Sequence, residues 1–198
     1  MATTIAAPPP RITLPPDAGG DRGPRPLPRG TQRIGILLGL AAISMMFIGL
    51  TSAYVVSQGL SPVWTQVRLS PLILINTAVL LLSSYTMEKA RRGAPGERVR
   101  HGASAKWLLG TLLLGVAFLA GQIGVFSQLA QAGLYLNTGR QASFYYVLTG
   151  LHGLHILGGI FALAWTSAHI KATTLEVTSL YWHFMSGLWL YLLMVIFL

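Results

Sequence analysis

Long apolar runs separated by short polar segments set the pattern of this chain. Five of them, near Ile34–Ser57, Leu69–Met87, Trp107–Leu129, Phe144–Ala168 and Val177–Leu198, contain no Asp, Glu, Lys or Arg. An uncharged apolar run of about 20 residues, coiled as a helix, matches the hydrocarbon thickness of a bilayer. Lipid offers no partner for backbone N–H and C=O groups, so each run must satisfy its own, which a helix does. The runs are continuous rather than alternating with period two, which argues against a barrel. The pattern therefore predicts an all-α fold, an integral membrane bundle of five transmembrane helices spanning residues 31–198, with residues 1–30 as a separate tail.

The tail differs in kind. Eight of the eleven prolines fall within Met1–Gly30, among them Pro8, Pro9 and Pro10, together with Arg11, Arg22, Arg25 and Arg29. Such a segment has no apolar area to bury and is expected to be disordered or partly polyproline II. It lacks the apolar core of a secretory signal.

Composition adds the orientation. Only 10% of the 198 residues are charged, against roughly 25% in a soluble domain, and the formal net charge is +9. That charge does not mark a nucleic-acid binder, because the basic residues sit at membrane edges and in the tail rather than on a folded face. With the N-terminus inside, the tail together with Arg33, Glu88–Lys106 and His169–Glu176 carry 12 Lys and Arg, whereas Gln58–Ser70 and Ala130–Ser143 carry only Arg68 and Arg140. Positive charge marks the cytoplasmic side, so the N-terminus is expected there and the C-terminus on the outer, periplasmic side. Pro62 and Trp64 suit an interfacial turn, and Trp107 and Trp182 are expected near span ends. The absence of Cys removes thiolate metal sites, Fe–S clusters and thiol nucleophiles.

Small and polar residues mark candidate contacts between helices or with a neighbouring subunit. These are Gly35 and Gly39, then Gly49 and Ser52 in the first span, Ser83 and Ser84 in the second, and Gly121 in the third. Asn76 is expected to point into the bundle, since its amide needs a partner in lipid. Arg91 and Arg92, at a basic edge, are candidates for anionic lipid head groups.

No carboxylate lies inside the five runs. Apart from tyrosines, the titratable groups there are His152, His155 and His183. His152 and His155, three apart, share a helix face with Gly159 close behind. Two readings follow. One is haem or metal ligation by histidines from neighbouring helices; the other, favoured, is hydrogen bonding across a helix contact. The predicted topology puts His152 and His155 toward the outer side and His183 toward the inner, which argues against one site made from all three.

The residues then become specific. Phe144-Tyr145-Tyr146-Val147-Leu148-Thr149-Gly150-Leu151-His152-Gly153-Leu154-His155 with Gly158-Gly159, and Tyr181-Trp182-His183-Phe184-Met185-Ser186-Gly187-Leu188-Trp189-Leu190-Tyr191-Leu192, resemble the last two helices of subunit III of haem–copper cytochrome c oxidases. Met46-Phe47-Ile48-Gly49-Leu50-Thr51-Ser52-Ala53-Tyr54 and the stretch from Asn76 to Glu88 are similar to two earlier segments of the same family. The resemblance covers most of the chain in order and points to the short, five-helix bacterial form. It implies a subunit with no catalytic residues and no haem or copper of its own, set in the bacterial inner membrane beside oxidase subunits I and II. Those subunits carry the haem and copper of a proton-pumping respiratory complex. It further implies support of subunit I and of proton uptake, with phospholipid bound in a cleft. Trp182, His183 and Ser186 are further candidates for helix packing or a subunit interface. Two positions depart from the pattern: Ile43 and Ser186 stand where the family often carries a carboxylate. A quinol oxidase subunit III, or the related accessory protein of nitric oxide reductase, fits the same resemblance. A stand-alone haem-binding membrane protein is the rival of another class.

Overall fold

The computed structural model describes residues 29–60, 70–93, 101–135, 139–168 and 172–197. They form five helices and no strand: α1 (Arg29–Gly59), α2 (Pro71–Arg92), α3 (His101–Gln131), α4 (Arg140–Ala168) and α5 (Ala172–Phe197). Each is long and apolar enough to cross a membrane. The chain is a multi-pass membrane protein. The turn expected around Pro62 and Trp64 and the tail before Arg29 lie outside the described residues.

Helix ends follow the local sequence. Ser70 caps α2, its hydroxyl accepting from the Leu72 N–H at 3.3 Å, with Pro71 in the first turn where a missing N–H costs nothing. Lys89, Arg91 and Arg92 occupy the last turn of α2, where positive charge meets the negative end of the helix dipole. Gly133, at φ +77°, ends α3. Its N–H donates to Ala130 O and the Leu134 N–H to Leu129 O, both at 3.0 Å, the reversal that a left-handed residue permits.

Each helix extends past its expected run at one end or both, α3 by six residues at its start. α2 continues through Glu88 to Arg92, and α5 begins before Glu176, so both carboxylates sit on helices rather than in loops. The reason is that charged residues at a span's end still favour helix, and the charge count reads the bilayer edge rather than the helix end.

α5 touches α1, α2 and α4; α2 lies along α3, and α3 along α4; α1 meets only α4 and α5. The α3 and α5 backbones do not approach closely, and two tryptophans of α5 fill the space between them. Trp189 lies 5.2 Å from Phe118 of α3, edge to face, and Trp182 is packed against Gly115. The core between the helices is Phe47, Tyr54, Ile73, Leu80, Phe118, Val125, Tyr145, Leu148, Ile156, Met185, Trp189 and Leu192.

Hydroxyls are accommodated by bonding back to their own helix. Thr51, Thr77, Thr111, Thr149, Thr166 and Ser186 each donate to the carbonyl four residues earlier. Several then join helices: Thr86 with Thr111 at 2.8 Å, Thr166 with Thr178 at 3.0 Å, and Thr51 with the Tyr191 hydroxyl at 2.8 Å. Such bonds contribute about 0.6 kcal/mol on average in lipid. Thr86→Val and Thr111→Val are therefore each expected to lower stability by about that amount, and the double variant by less than the sum. A double-mutant cycle on thermal unfolding in detergent checks this; strict additivity contradicts the bond.

Candidate functional site

The interior is held by contacts in which a large ring or an amide lies on a glycine. Asn76 of α2 is 3% exposed and its amide donates to Phe118 O at 3.0 Å. Gly121 of α3 makes room for it, since a Cβ there would stand 2.3 Å from Asn76 Oδ1. One turn or more away, Trp182 is fully buried. Its indole N–H donates to Ser83 Oγ at 3.1 Å, and its ring lies over Gly115 of α3 and Gly159 of α4. Ser83 in turn donates to Leu80 O. The expectation of an edge position for Trp182 is thus overturned. Its neighbours are glycines on two helices, and a ring that finds such a slot gains contacts which lipid chains do not match. Trp107 does lie toward a helix start and is 41% exposed. Ser186 is buried, donating to Trp182 O at 3.0 Å.

The three histidines face three different surroundings. His152 is fully buried, stacked on Trp189 at 5.1 Å and edge-on to Phe118. His155 lies edge-on to Phe47 of α1, its Nδ1 bonded to Leu151 O at 2.7 Å, while the Tyr181 hydroxyl donates to its carbonyl. His183 Nδ1 is 2.6 Å from Ser84 Oγ of α2. Among the described residues, no three His, Asp or Glu side chains stand together to hold a metal ion.

The α1 positions behave differently. A Cβ on Gly35, Gly39 or Gly49 would meet nothing within 4 Å, and these glycines and Ser52 are exposed. Of the two contacts expected there, the one between helices of this chain is not formed at these glycines. Only 17% of the apolar window of α1 is buried, whereas each other helix buries a third or more. Lipid does not drive a small-residue face inward, because the alternative environment is equally apolar.

A polar cleft of about 380 Å³ opens where α1 begins, α2 ends and α5 begins. It is lined by Arg33, Glu88, Arg91, Glu176, Ser179 and His183, with Ile36, Leu37, Val177 and Leu180. Arg91 Nε and Nη2 and Arg92 Nε all donate to the Glu88 carboxylate at 2.7–2.8 Å, and His183 Nε2 lies 3.5 Å from it. Arg33 pairs with Glu176, tying α1 to α5. Arg91 and Arg92 are therefore engaged with Glu88 rather than presented alone. Within the cleft, Arg33 and Arg91 balance Glu88 and Glu176, while Arg92 reaches Glu88 from outside the lining. Farther along the α1–α5 seam lies an apolar groove of about 370 Å³ between Ser44, Phe47, Ile48, Phe184, Gly187, Leu188 and Tyr191. Sequence reasoning missed this cleft, because Glu88 and Glu176 fell outside the runs it treated as membrane. A carboxylate within two turns of a run's end, facing a histidine on another run, was the available signal.

A family model for cytochrome c oxidase subunit III matches residues 28–198. Cytochrome c oxidase subunit 3 of a Synechocystis species is 33% identical, over 84% of this chain and 75% of that protein. The subunit 3 of Thermostichus vulcanus is 32% identical, over 83% of this chain and 86% of its own length. Cytochrome bo(3) ubiquinol oxidase subunit 3 of Pseudomonas aeruginosa is 33% identical, over 65% of this chain and 64% of that protein. A bundle of five spanning helices, the matched motifs of α4 and α5 and relatives that cover most of the chain converge: the chain belongs to the cytochrome c oxidase subunit III family.

Proposed function

We propose that this chain is the bracing subunit III of a proton-pumping, cytochrome c-oxidising terminal oxidase in a bacterial cytoplasmic membrane. In this reading it holds no haem or copper and stabilises subunit I, with subunit II in the same complex, and supports proton uptake. The observation that carries it is α1: an exposed face of Gly35, Gly39, Gly49 and Ser52, where a Cβ on any of the three glycines would meet nothing within 4 Å. Small residues let helix backbones approach closely, so this face suits a helix of the neighbouring subunit. The positive-inside bias puts the N-terminus and the polar cleft on the cytoplasmic side. A phospholipid suits the α1–α5 seam, its head group at the charged cleft beside Arg33 and Arg91 and an acyl chain in the apolar groove.

The test is copurification through a tag on this chain. Subunits I and II and their haem absorbance are expected with the wild type. Gly39→Leu and Gly49→Leu are expected to cut recovery of the haem-bearing partner on the order of tenfold, equivalent to about 1.4 kcal/mol, while the chain itself accumulates normally. Full recovery in both variants rejects α1 as the contact; haem bound to the isolated chain rejects the bracing role. Extraction and mass spectrometry of tightly held lipid tests the seam. The ubiquinol oxidase relative supports a second reading with quinol as donor. Oxidation of reduced cytochrome c or of quinol by the purified complex separates the two.

A further inference from the structure

Between α3, α4 and α5 lies a row of polar groups with no counterpart in the contacts described so far. Gln122 of α3 is 4% exposed, and Tyr145 and His152 of α4 are 2% and 0%. Neither amide atom of Gln122, nor the Tyr145 hydroxyl, nor either ring nitrogen of His152 has a hydrogen-bond partner in the protein. These five atoms are too many to leave unmade, since each such buried group costs about 1–3 kcal/mol.

The ring contacts place them side by side. Phe118, one turn before Gln122, lies 6.1 Å from His152, and Phe126, one turn after it, lies 6.5 Å from Tyr145. α3 and α4 run antiparallel, so Gln122 falls at the level between the two. Tyr145 and His152 are seven residues apart, on one face, about 10 Å along the axis. Trp189 of α5 closes the side beyond His152.

We infer that this interior is a binding site for water. A row that needs both donors and acceptors is served by a ligand that is both. An ion is disfavoured, because α3 from Trp107 and α4 from Gln141 carry no charged residue. One water spans two protein atoms no more than about 5.6 Å apart, twice a bond of about 2.8 Å. Tyr145 and His152 sit about 10 Å apart along the helix axis, a span for two waters, one on each side of the Gln122 amide. Buried waters commonly make about three such bonds. His152 can donate from one ring nitrogen and accept at the other.

X-ray radiolytic labelling in membranes containing the full chain, with H2 18O and mass spectrometry, tests this. Tyr145 and His152 are expected to oxidise at least several-fold faster than Phe47, which is equally buried but lies in the apolar core. Gln122→Leu is expected to lower labelling at both residues while leaving Phe47 unchanged. Labelling of Tyr145 and His152 no faster than Phe47 overturns the inference. Should Gln122→Leu fail to accumulate, a map of the wild-type complex that resolves ordered solvent decides. Density within about 3.2 Å of the Gln122 amide on both sides supports the site; a direct bond from Gln122 to Tyr145 or His152 with nothing between overturns it.

Discussion

Gly121→Leu is expected to be among the most damaging single substitutions in the bundle, and Gly39→Leu among the mildest for the chain alone. At position 121 the first added carbon already stands 2.3 Å from Asn76 Oδ1 and 2.7 Å from its Cγ. The amide cannot simply swing aside, because its nitrogen is bonded to Phe118 O, one turn from Gly121 on the same helix. Overpacking of a tight contact costs about 1–3 kcal/mol, and the displaced amide forfeits its interhelical bond and is left buried, adding about 1–3 kcal/mol. A loss of about 3 kcal/mol or more should show as low accumulation and a much lower unfolding temperature in detergent. Asn76→Ala combined with Gly121→Leu vacates the contested space, so the double variant should be more stable than Gly121→Leu alone. Gly39→Leu meets open space, and its unfolding temperature should stay near that of wild type. Equal melting of Gly121→Leu and wild type contradicts the Asn76 contact.

The contrast between these two glycines also marks how far the sequence could be read. The number of spans and their centres follow from hydropathy, because bilayer thickness imposes them on the residues directly. The inward placement of Asn76 was readable for a similar reason: an amide has no alternative partner in hydrocarbon. Which small residues face inward was not readable. In water, burial separates the faces of a helix; in lipid both faces are apolar, so Gly39 and Gly121 look alike until the neighbouring helices are placed.

The polar cleft was hidden for a different cause. Glu88 follows Met87 immediately, and counting charges to find the span cut the helix at that point, separating Glu88 from Ser84, which shares its helix. His183 was then left with no acid in view, although α5 brings it within 3.5 Å of that carboxylate. The hydroxyl pairs Thr86 with Thr111 and Thr166 with Thr178 escaped notice for a related reason. A threonine that bonds its own carbonyl is tolerated anywhere in a span, so its presence carries no information about a partner.

Trp182→Ala should destabilise the chain by about 3–5 kcal/mol, the range for truncating a buried tryptophan. The indole is fully buried and occupies the place where α2, α3, α4 and α5 come together. Gly115 and Gly159 lie beneath it: a Cβ on the first would stand 2.7 Å from the ring's Cη2, and one on the second 3.3 Å from its Cζ3. Removing the ring opens a cavity between Gly115 and Gly159, flanked by Ile160 and Tyr181. Because α3 and α5 do not approach closely through their backbones, the loss detaches α5 from α3 over this stretch. Trp182→Phe separates ring from hydrogen bond. It keeps most of the volume and loses the donation to Ser83 Oγ, which is worth about 0.5–1.5 kcal/mol, so its unfolding temperature should fall far less than that of the alanine variant. Gly115→Leu should mimic Trp182→Ala by pushing the ring out of its slot. If Trp182→Ala unfolds within a degree of wild type, the ring is not what holds these four helices together, and the bundle must be secured at Trp189 and Asn76 instead.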